Sequence, residues 1–300
     1  MKSSIRLLLF CFFITSVTGC TAPGAVRFAA IGDTPYFESD SELAVVSSAL
    51  DKMDKADIPF VIHIGDIIRS GTSCSRKLFE QRGNIFAKSP IPFMITIGDN
   101  EFVDCKNNFA ARRLFRDVIL KDPPVSQTIT GTNEDVEPLN VTRQNSMIEN
   151  VTWSYKDVGF IMLVFPDFPG NYALKSSEIN KILRNNIKFL IENLNRAKKN
   201  NYKAVVIAMH SSPVTCGLDI CFEFSKVFRR EIISFAKPVL LINGSNHENK
   251  FVKAGYMGVS NLWHLRPGSE PGELWPEIMF SPASNKFKVK WHVEPDVMLE

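Results

Sequence analysis

The sequence predicts an α/β fold built on a largely parallel sheet. Short apolar runs rich in β-branched and aromatic residues occupy 26–31, 59–64 and 92–97. Each run is too short for a helix but suits a strand that is buried on both faces. Between the first two runs, Ser39 and Glu42 belong to a capping box that begins a helix extending to about residue 55. Strands that alternate with helices in this way are typical of βαβ units.

The alternation continues along the chain, with one long exception. The segment 122–156, with its Pro, Thr, Asn and Gly clusters, has weak periodicity and predicts a long surface excursion. No linker or repeat divides the chain, so residues 20–300 are predicted to form one domain. The other predicted elements are helices over 76–88, 105–119, 177–199 and 222–236, buried strands over 158–165, 203–209 and 238–242, and a final antiparallel set at 262–265, 276–280 and 286–292.

Composition excludes several classes of protein. The 300 residues contain 35 Lys and Arg against 32 Asp and Glu, and a net charge of +3 gives no electrostatic basis for binding nucleic acid. An aromatic content of 11%, with 23 Phe, supplies enough apolar surface for a core and argues against disorder. Only residues 1–20 contain a long apolar run, which excludes a protein with several membrane spans.

The N-terminus has the pattern of an export signal. Lys2 and Arg6 precede an apolar run at 7–17 that is too short to span a bilayer as a mature helix. The run ends in Val-Thr-Gly-Cys, which resembles a bacterial lipobox. We therefore predict a signal peptide at 1–19 and a lipid on Cys20, which would anchor the exported protein to a membrane surface of the bacterial cell envelope. In a Gram-negative cell this would be the periplasmic face of the outer membrane. A plain secretory signal is the alternative.

Export would place the other cysteines in an oxidising compartment. Four cysteines are left once the signal and the lipidated residue are set aside, so two disulfides are expected, with three possible connectivities. Cys216 and Cys221 enclose a short loop and are predicted to pair locally, which leaves Cys74 to pair with Cys105. None of the spacings fits a zinc ribbon.

Polar clusters follow five of the predicted strands. Asp33, Asp66 and Asp99 each follow a glycine directly after one of the first three strands, and His210 and His247 follow two later strands. Ligands bind at the carboxyl ends of the strands in an open α/β sheet, so these side chains are expected along one edge. Carboxylates and imidazoles form a mixed oxygen and nitrogen set that suits divalent Mn, Fe or Zn.

The order of these motifs resembles that of the calcineurin-like metallophosphoesterases. The likeness is greatest to a bacterial and fungal branch whose first motif is Gly-Asp-Thr-Pro and whose third is Gly-Asp-Asn-Glu, and it covers about residues 26–255. The resemblance implies a four-layer α/β/β/α sandwich of two mixed sheets around two divalent metal ions. It also implies hydrolysis of a phosphate mono- or diester, in which a metal-bound hydroxide attacks the phosphorus in line.

The resemblance also implies a role for each position that the chain retains. Asp33, Asp66 and His247 would bind the first metal ion. Asp66, Asp99 and His210 would bind the second, so that Asp66 bridges the two ions. Asp99 stands where the family has an asparagine ligand, and a carboxylate there adds negative charge.

Three positions depart from the family pattern. Pro35 and Ser245 stand where the family has metal-binding histidines, and neither can replace an imidazole. Asn100 stands at the catalytic position where the family has the histidine that protonates the leaving oxygen. These departures leave two functions open: an exported, lipid-anchored phosphoesterase, or a degenerate member that binds a phosphorylated ligand or a protein partner without turnover.

Other histidines and one tyrosine lie near these motifs. His63 precedes Asp66 within a strand and is interpreted as a packed strand residue. His264 and His292 lie in the final strands and are interpreted as structural. The sequence allows two roles for the Tyr36 side chain, which are stacking on a substrate and packing on its own strand.

Overall fold

The structure, a computed structural model, contains two mixed sheets with helices on their outer faces. It describes residues 24–36, 39–120, 139, 141–168, 174–214, 219–269, 272 and 274–293. The predicted α/β class and its four-layer α/β/β/α arrangement are confirmed.

The first sheet has five strands and brings the three Gly-Asp pairs to one edge. Its parallel part consists of β1 (Val26–Ile31), β2 (Val61–His63) and β3 (Phe93–Ile95). Beside β1 lies the antiparallel strand β11 (Leu274–Ser281), which pairs with β12 (Lys286–Val293) at the far edge. Because β1, β2 and β3 run in the same direction, the residues that follow them meet at the same end of the sheet.

The second sheet has seven strands, in the order β4-β5-β6-β7-β8-β10-β9. Within it, β6, β7, β8 and β10 are parallel, whereas β4, β5 and β9 are antiparallel to their neighbours. The strands are β4 (Thr142–Gln144), β5 (Met147–Tyr155), β6 (Val158–Met162), β7 (Ala204–Ala208), β8 (Val239–Ile242), β9 (Asn249–Val252) and β10 (Leu262–Pro267).

Helices cover the outer faces of the two sheets. They are α1 (Asp40–Lys55), α2 (Arg76–Phe86), α3 (Asn108–Leu114), which continues into a π-helical turn (Phe115–Ile119), α4 (Ser176–Lys199) and α5 (Asp219–Phe235). The predicted cap of α1 is present, because the Ser39 side chain accepts a hydrogen bond from the Glu42 backbone. None of the helices in the described ranges combines the length and apolarity that crossing a lipid bilayer requires.

The core explains why the first strands are apolar on both faces. Phe28 of β1 points between the two sheets, where its ring lies 5.5 Å from that of Phe60 and 5.2 Å from that of Phe160. The alternate residues Ala29 and Ile31 belong to the apolar cluster that includes the buried face of α1. Burying one such large side chain stabilises the fold by about 1.5–3 kcal/mol.

The prediction of an irregular excursion over 122–156 is wrong for its second half. β4 and β5 lie there and form one edge of the second sheet. β5 escapes a pattern search because three of its buried residues, Glu149, Asn150 and Thr152, are polar. The Glu149 carboxylate binds Arg112 and Arg116, and the Asn150 amide bonds Gln144 and Asn186. These partners come from other elements, so the pattern within β5 gives no sign of them.

The prediction of one final antiparallel set is also wrong in part. β10 does not join β11 and β12 but enters the second sheet, where it pairs in parallel with β8 and antiparallel with β9. β9 itself has no pronounced apolar pattern, because its residues are exposed or half-buried. Only β11 and β12 form the predicted antiparallel pair.

Candidate metal centre

Three aspartates follow β1, β2 and β3 at the shared edge of the first sheet. Asp33 and Asp66 are buried and have positive φ angles of 53° and 60°, a conformation that aspartate tolerates better than most residues. Gly98 lies so close to Asp66 that a Cβ atom on Gly98 would collide with the Asp66 carboxylate. Gly244, after β8, approaches the Asp33 carboxylate in the same way. The glycines of these motifs therefore make room for the carboxylates.

His210 follows β7 and points into the group of aspartates. Its Nδ1 lies 2.9 Å from the Ile64 carbonyl oxygen and donates to it, so that in the neutral imidazole Nε2 has the lone pair that a metal ion needs. Nε2 lies 3.5 Å from Asp66 Oδ1 and 2.6 Å from Asp99 Oδ1. Asp33, Asp66 and His210 each offer a ligand atom within 4.8 Å of the others. This is the usual tautomer and spacing of a metal-binding histidine among carboxylates.

The described residues satisfy the buried polar atoms of the cluster poorly. Asp33 Oδ2 has no hydrogen-bond partner among them, and Asp99 Oδ1 and His210 Nε2 contact each other at 2.6 Å without a further partner. An unpaired buried polar atom costs about 1–3 kcal/mol, and more when it is charged. A divalent cation would satisfy all three at once, and both the donor types and their burial fit such an ion. The residues present therefore fit a metal centre.

Electrostatics inside the cluster also favour a cation. Burial raises the pKa of the Asp66 carboxyl well above its usual value, and the neighbouring carboxylates add to the effect. Burial lowers the pKa of His210, but Asp66 and Asp99 outweigh it and hold that pKa well above its usual value. In the metal-free protein the imidazolium of His210 therefore supplies the positive charge that a metal ion would bring.

Metal binding is expected to release protons. A ligating imidazole must be neutral, so near pH 7 about one proton should leave His210 for each ion bound there, and metal affinity should fall as the pH is lowered. Calorimetric titration with Zn²⁺ in two buffers of different ionisation enthalpy measures this release. His210→Gln should remove it, whereas His292→Gln, at a histidine outside the cluster, should not. Ion binding by the wild type without proton release would contradict the assignment of His210.

His247 lies at the rim of the cluster, away from its buried centre. Its side chain is 49% exposed, and Nε2 lies 3.7 Å from Asp33 Oδ1. The same nitrogen lies 2.7 Å from the hydroxyl of Tyr36, whose oxygen is also 3.4 Å from Asp33 Oδ1. Tyr36 therefore links the first and last motifs, a role that neither reading of its sequence position included. Ser245, in the last motif, contributes its backbone N–H to Asp33 Oδ1.

Glu101 is a buried residue of the site that the sequence analysis did not single out. Its carboxylate accepts hydrogen bonds from the backbone N–H groups of Gly98, Asp66 and Ile67, at 2.6, 3.1 and 3.1 Å. These bonds fix the positive-φ turn that presents Asp66. The only signal in the sequence is the glutamate that ends Gly-Asp-Asn-Glu. Burial raises the pKa of Glu101 to about 7.

Asn100 and the first cysteine pair border the same turn. The backbone N–H of Asn100 donates to Asp66 Oδ1 at 3.0 Å.

Cys74 and Cys105 form a disulfide that joins the segments after Asp66 and after Asp99. Cys216 and Cys20 lie outside the described residues, so the second disulfide and the lipid anchor stay predictions.

The other histidines lie outside the cluster. His63 is fully buried, with Nε2 2.7 Å from the Thr34 carbonyl oxygen, and burial lowers its pKa to about 3. His264 contacts Asn243, and His292 contacts Glu277. These contacts agree with structural roles.

The fold is shared with solved structures of dimetal phosphatases. A dimetal phosphatase from Danio rerio has 12% sequence identity and a TM-score of 0.52, over 85% of this chain and 95% of that one. The purple acid phosphatase PPD1 from yellow lupin (Lupinus luteus) seeds has 10% identity and a TM-score of 0.55, over 91% of this chain and 52% of that one. No family model and no curated protein sequence matches the chain.

A third neighbour has the same fold and a different description. GAP50, the anchor in the inner membrane complex of Plasmodium, has 13% identity and a TM-score of 0.54, over 91% of this chain and 85% of that one. At such identities the likeness establishes the fold alone. The chain therefore shares the fold of these three structures and has a candidate metal cluster at the edge of the first sheet that the sequence predicted.

Proposed function

We propose that the protein is a metal-dependent phosphoesterase that hydrolyses a phosphate mono- or diester. The observation that carries the proposal is the convergence of Asp33, Asp66 and His210, from three different strands, whose ligand atoms lie within 4.8 Å of one another in a buried space. The neighbours described as dimetal phosphatases add support through the fold. Such a cluster destabilises the fold when no cation is bound, because Asp33 Oδ2 is buried without a partner and three carboxylates lie close together.

The chain's own residues would hold the ions and keep the reacting groups in place. Two bound divalent ions would supply Lewis-acid stabilisation of phosphate oxygens and activation of water. Asp66 lies close to both Asp33 and His210, and His210 contacts Asp99, so Asp66 would contact both ions. Glu101 holds the turn of Asp66, and the Ile64 carbonyl oxygen orients His210. His247 and Tyr36 border the exposed side, where a substrate would enter.

The second candidate is a protein that binds a phosphorylated ligand or a protein partner without turnover. Pro35 and Ser245 favour this alternative, because neither can supply the imidazole that the resemblance leads one to expect. The description of GAP50 as an anchor is that of a protein with this fold and a binding role. A cluster that binds metal weakly would fit such a protein.

Metal content and turnover decide between the two candidates. The ions in the purified protein are counted by mass spectrometry, and hydrolysis of nitrophenyl phosphate and bis-nitrophenyl phosphate is followed with Mn²⁺ or Zn²⁺ added. Bound transition metal and metal-dependent release of nitrophenolate support the phosphoesterase. A folded, metal-free protein that hydrolyses neither ester in excess metal supports the binding protein.

We also propose that the protein acts outside the cytoplasm, attached by a lipid on Cys20 to the bacterial cell envelope. The support is the N-terminal pattern of basic residues, apolar run and Val-Thr-Gly-Cys. The disulfide between Cys74 and Cys105 fits an oxidising compartment.

Cys20→Ser is expected to release the protein from membranes, because serine cannot carry the thioether-linked lipid. Membrane and soluble fractions of expressing cells are compared by immunoblot. Cys11→Ser is the matched control, since it changes a cysteine inside the predicted signal peptide and leaves the lipobox intact. Equal membrane attachment of Cys20→Ser and the wild type would rule out the lipid anchor.

A further inference from the structure

A second concave site lies between the end of α3 and the start of α4. It is a pocket of 270 Å³ that includes Arg112, Arg113, Arg116 and Lys181 in its wall. None of its lining residues belongs to the metal cluster. Met147, the first residue of β5, and the preceding Ser146 form part of the same wall. The metal cluster and this pocket are therefore separate sites of opposite charge.

Cations dominate the wall of the pocket. Glu178 is the only acidic residue among those that line it, and Glu149 lies behind the wall with its side chain fully buried. Four cationic side chains thus face two carboxylates, which leaves an excess of positive charge. Arg113 and Lys181 are exposed, and neither forms an ion pair with any of the described residues. An anion in the pocket would supply the missing negative charge.

Two of the arginines are already held in position. Arg112 Nε and Arg116 Nε both lie 2.6 Å from Glu149 Oε1, and Arg116 Nη2 lies 2.9 Å from Glu149 Oε2. The Arg112 guanidinium also lies over the Phe102 ring, 5.3 Å from its centre. Burial alone would raise the pKa of Glu149, but the arginines outweigh it and keep that pKa below its usual value. A preorganised guanidinium loses less entropy when it binds a ligand.

We propose that this pocket binds a phosphate group, in inorganic phosphate or in a small phosphate ester. Planar guanidinium forks match the oxygens of a phosphate, and a lysine ammonium adds a flexible point charge. The pocket is at the small end of the range for ligand sites, which fits a compact anion better than a full nucleotide. Arg113 and Lys181 bind the phosphate together with the free N–H groups of Arg112 and Arg116.

The test uses metal-stripped protein, so that it is independent of the proposed phosphoesterase activity. Without metal the cluster is rich in carboxylates and repels anions, and phosphate binding then reports on the pocket. Isothermal titration with inorganic phosphate compares the wild type with Arg113→Gln/Lys181→Gln. The double variant is expected to weaken binding about tenfold or more, because it removes two charge-assisted contacts. The exposed positions of both residues favour normal folding, which circular dichroism checks.

The matched control is Arg184→Gln/Lys199→Gln, which removes the same formal charge from exposed positions of α4 outside the pocket. It should bind phosphate within about twofold of the wild type, since long-range charge effects are screened by salt. Equal weakening by the two double variants, or no phosphate binding by the stripped wild type, would overturn the proposal. Glycerol phosphate is titrated in parallel, and tighter binding than inorganic phosphate would identify an ester as the preferred ligand.

Discussion

Asp66→Asn is expected to abolish hydrolysis of phosphate esters by the metal-loaded protein. Asp66 is the carboxylate that would contact both ions, and an amide offers one weaker oxygen and no charge. Losing the electrostatic stabilisation that two ions provide raises the activation free energy by several kcal/mol, which corresponds to a fall of about 10³-fold or more in kcat/KM. The variant should fold, because asparagine tolerates the positive φ of this position. The measurement is kcat/KM on nitrophenyl phosphate with metal in excess.

Asn100→Ala is the matched control, because it changes a neighbouring side chain in the same turn. The hydrogen bond from Asn100 to Asp66 Oδ1 is donated by the backbone N–H, which alanine retains. We therefore expect Asn100→Ala to lower kcat/KM far less than Asp66→Asn. Full activity of Asp66→Asn would show that the carboxylate does not bridge the ions and that the two-metal assignment is wrong.

The fold and the position of the cluster could be predicted because local patterns determine them. A strand buried on both faces is mostly apolar, and Val26–Ile31 meets that condition between the second sheet and α1, with the half-buried Arg27 as its one polar residue. The Gly-Asp pairs are short motifs in the sequence, and their glycines are needed because the Ile64 side chain approaches Gly32, the Gly98 backbone approaches Gly65, and the Asp66 carboxylate approaches Gly98. The parallel direction of three such strands then places Asp33, Asp66 and Asp99 along one edge.

The features that could not be predicted depend on partners distant in the sequence. β5 contains three buried polar residues whose partners come from other elements. Arg112 of α3 and Arg116 of the following π-helical turn bind Glu149, and Asn186 and Arg196 of α4 bond Asn150 and Thr152. The exposure of His247, and its contact with Tyr36, depend on how the last motif leaves β8. No periodicity within a strand or helix indicates such pairs. The same reason explains why the basic pocket has no motif.

Among the described residues around the cluster, His247 is assigned by the resemblance to a metal ion, and no other side chain is placed as an acid for the leaving oxygen. Asn100 cannot donate a proton as an acid. Both carboxylate oxygens of Glu101 accept backbone N–H groups and are held away from a substrate. Burial and the neighbouring carboxylates raise the pKa of Tyr36 well above its usual value, so its phenol keeps its proton. The leaving oxygen must then depart without help from a well-placed acid.

The metal-loaded protein is therefore expected to favour esters whose leaving group is stable without a proton. General acid catalysis typically contributes about 10²–10⁴-fold, and alkyl phosphates need that contribution far more than aryl phosphates do. Values of kcat/KM are compared for nitrophenyl, phenyl and alkyl phosphates, and a steep dependence on the pKa of the leaving alcohol is expected. Asn100→His is the informative variant, because a histidine there should raise activity on the alkyl ester more than on the nitrophenyl ester. Equal activity of the wild type on both ester types would show that an acid is present. The first residues to replace would then be His247 and Tyr36, because they border the exposed side of the cluster.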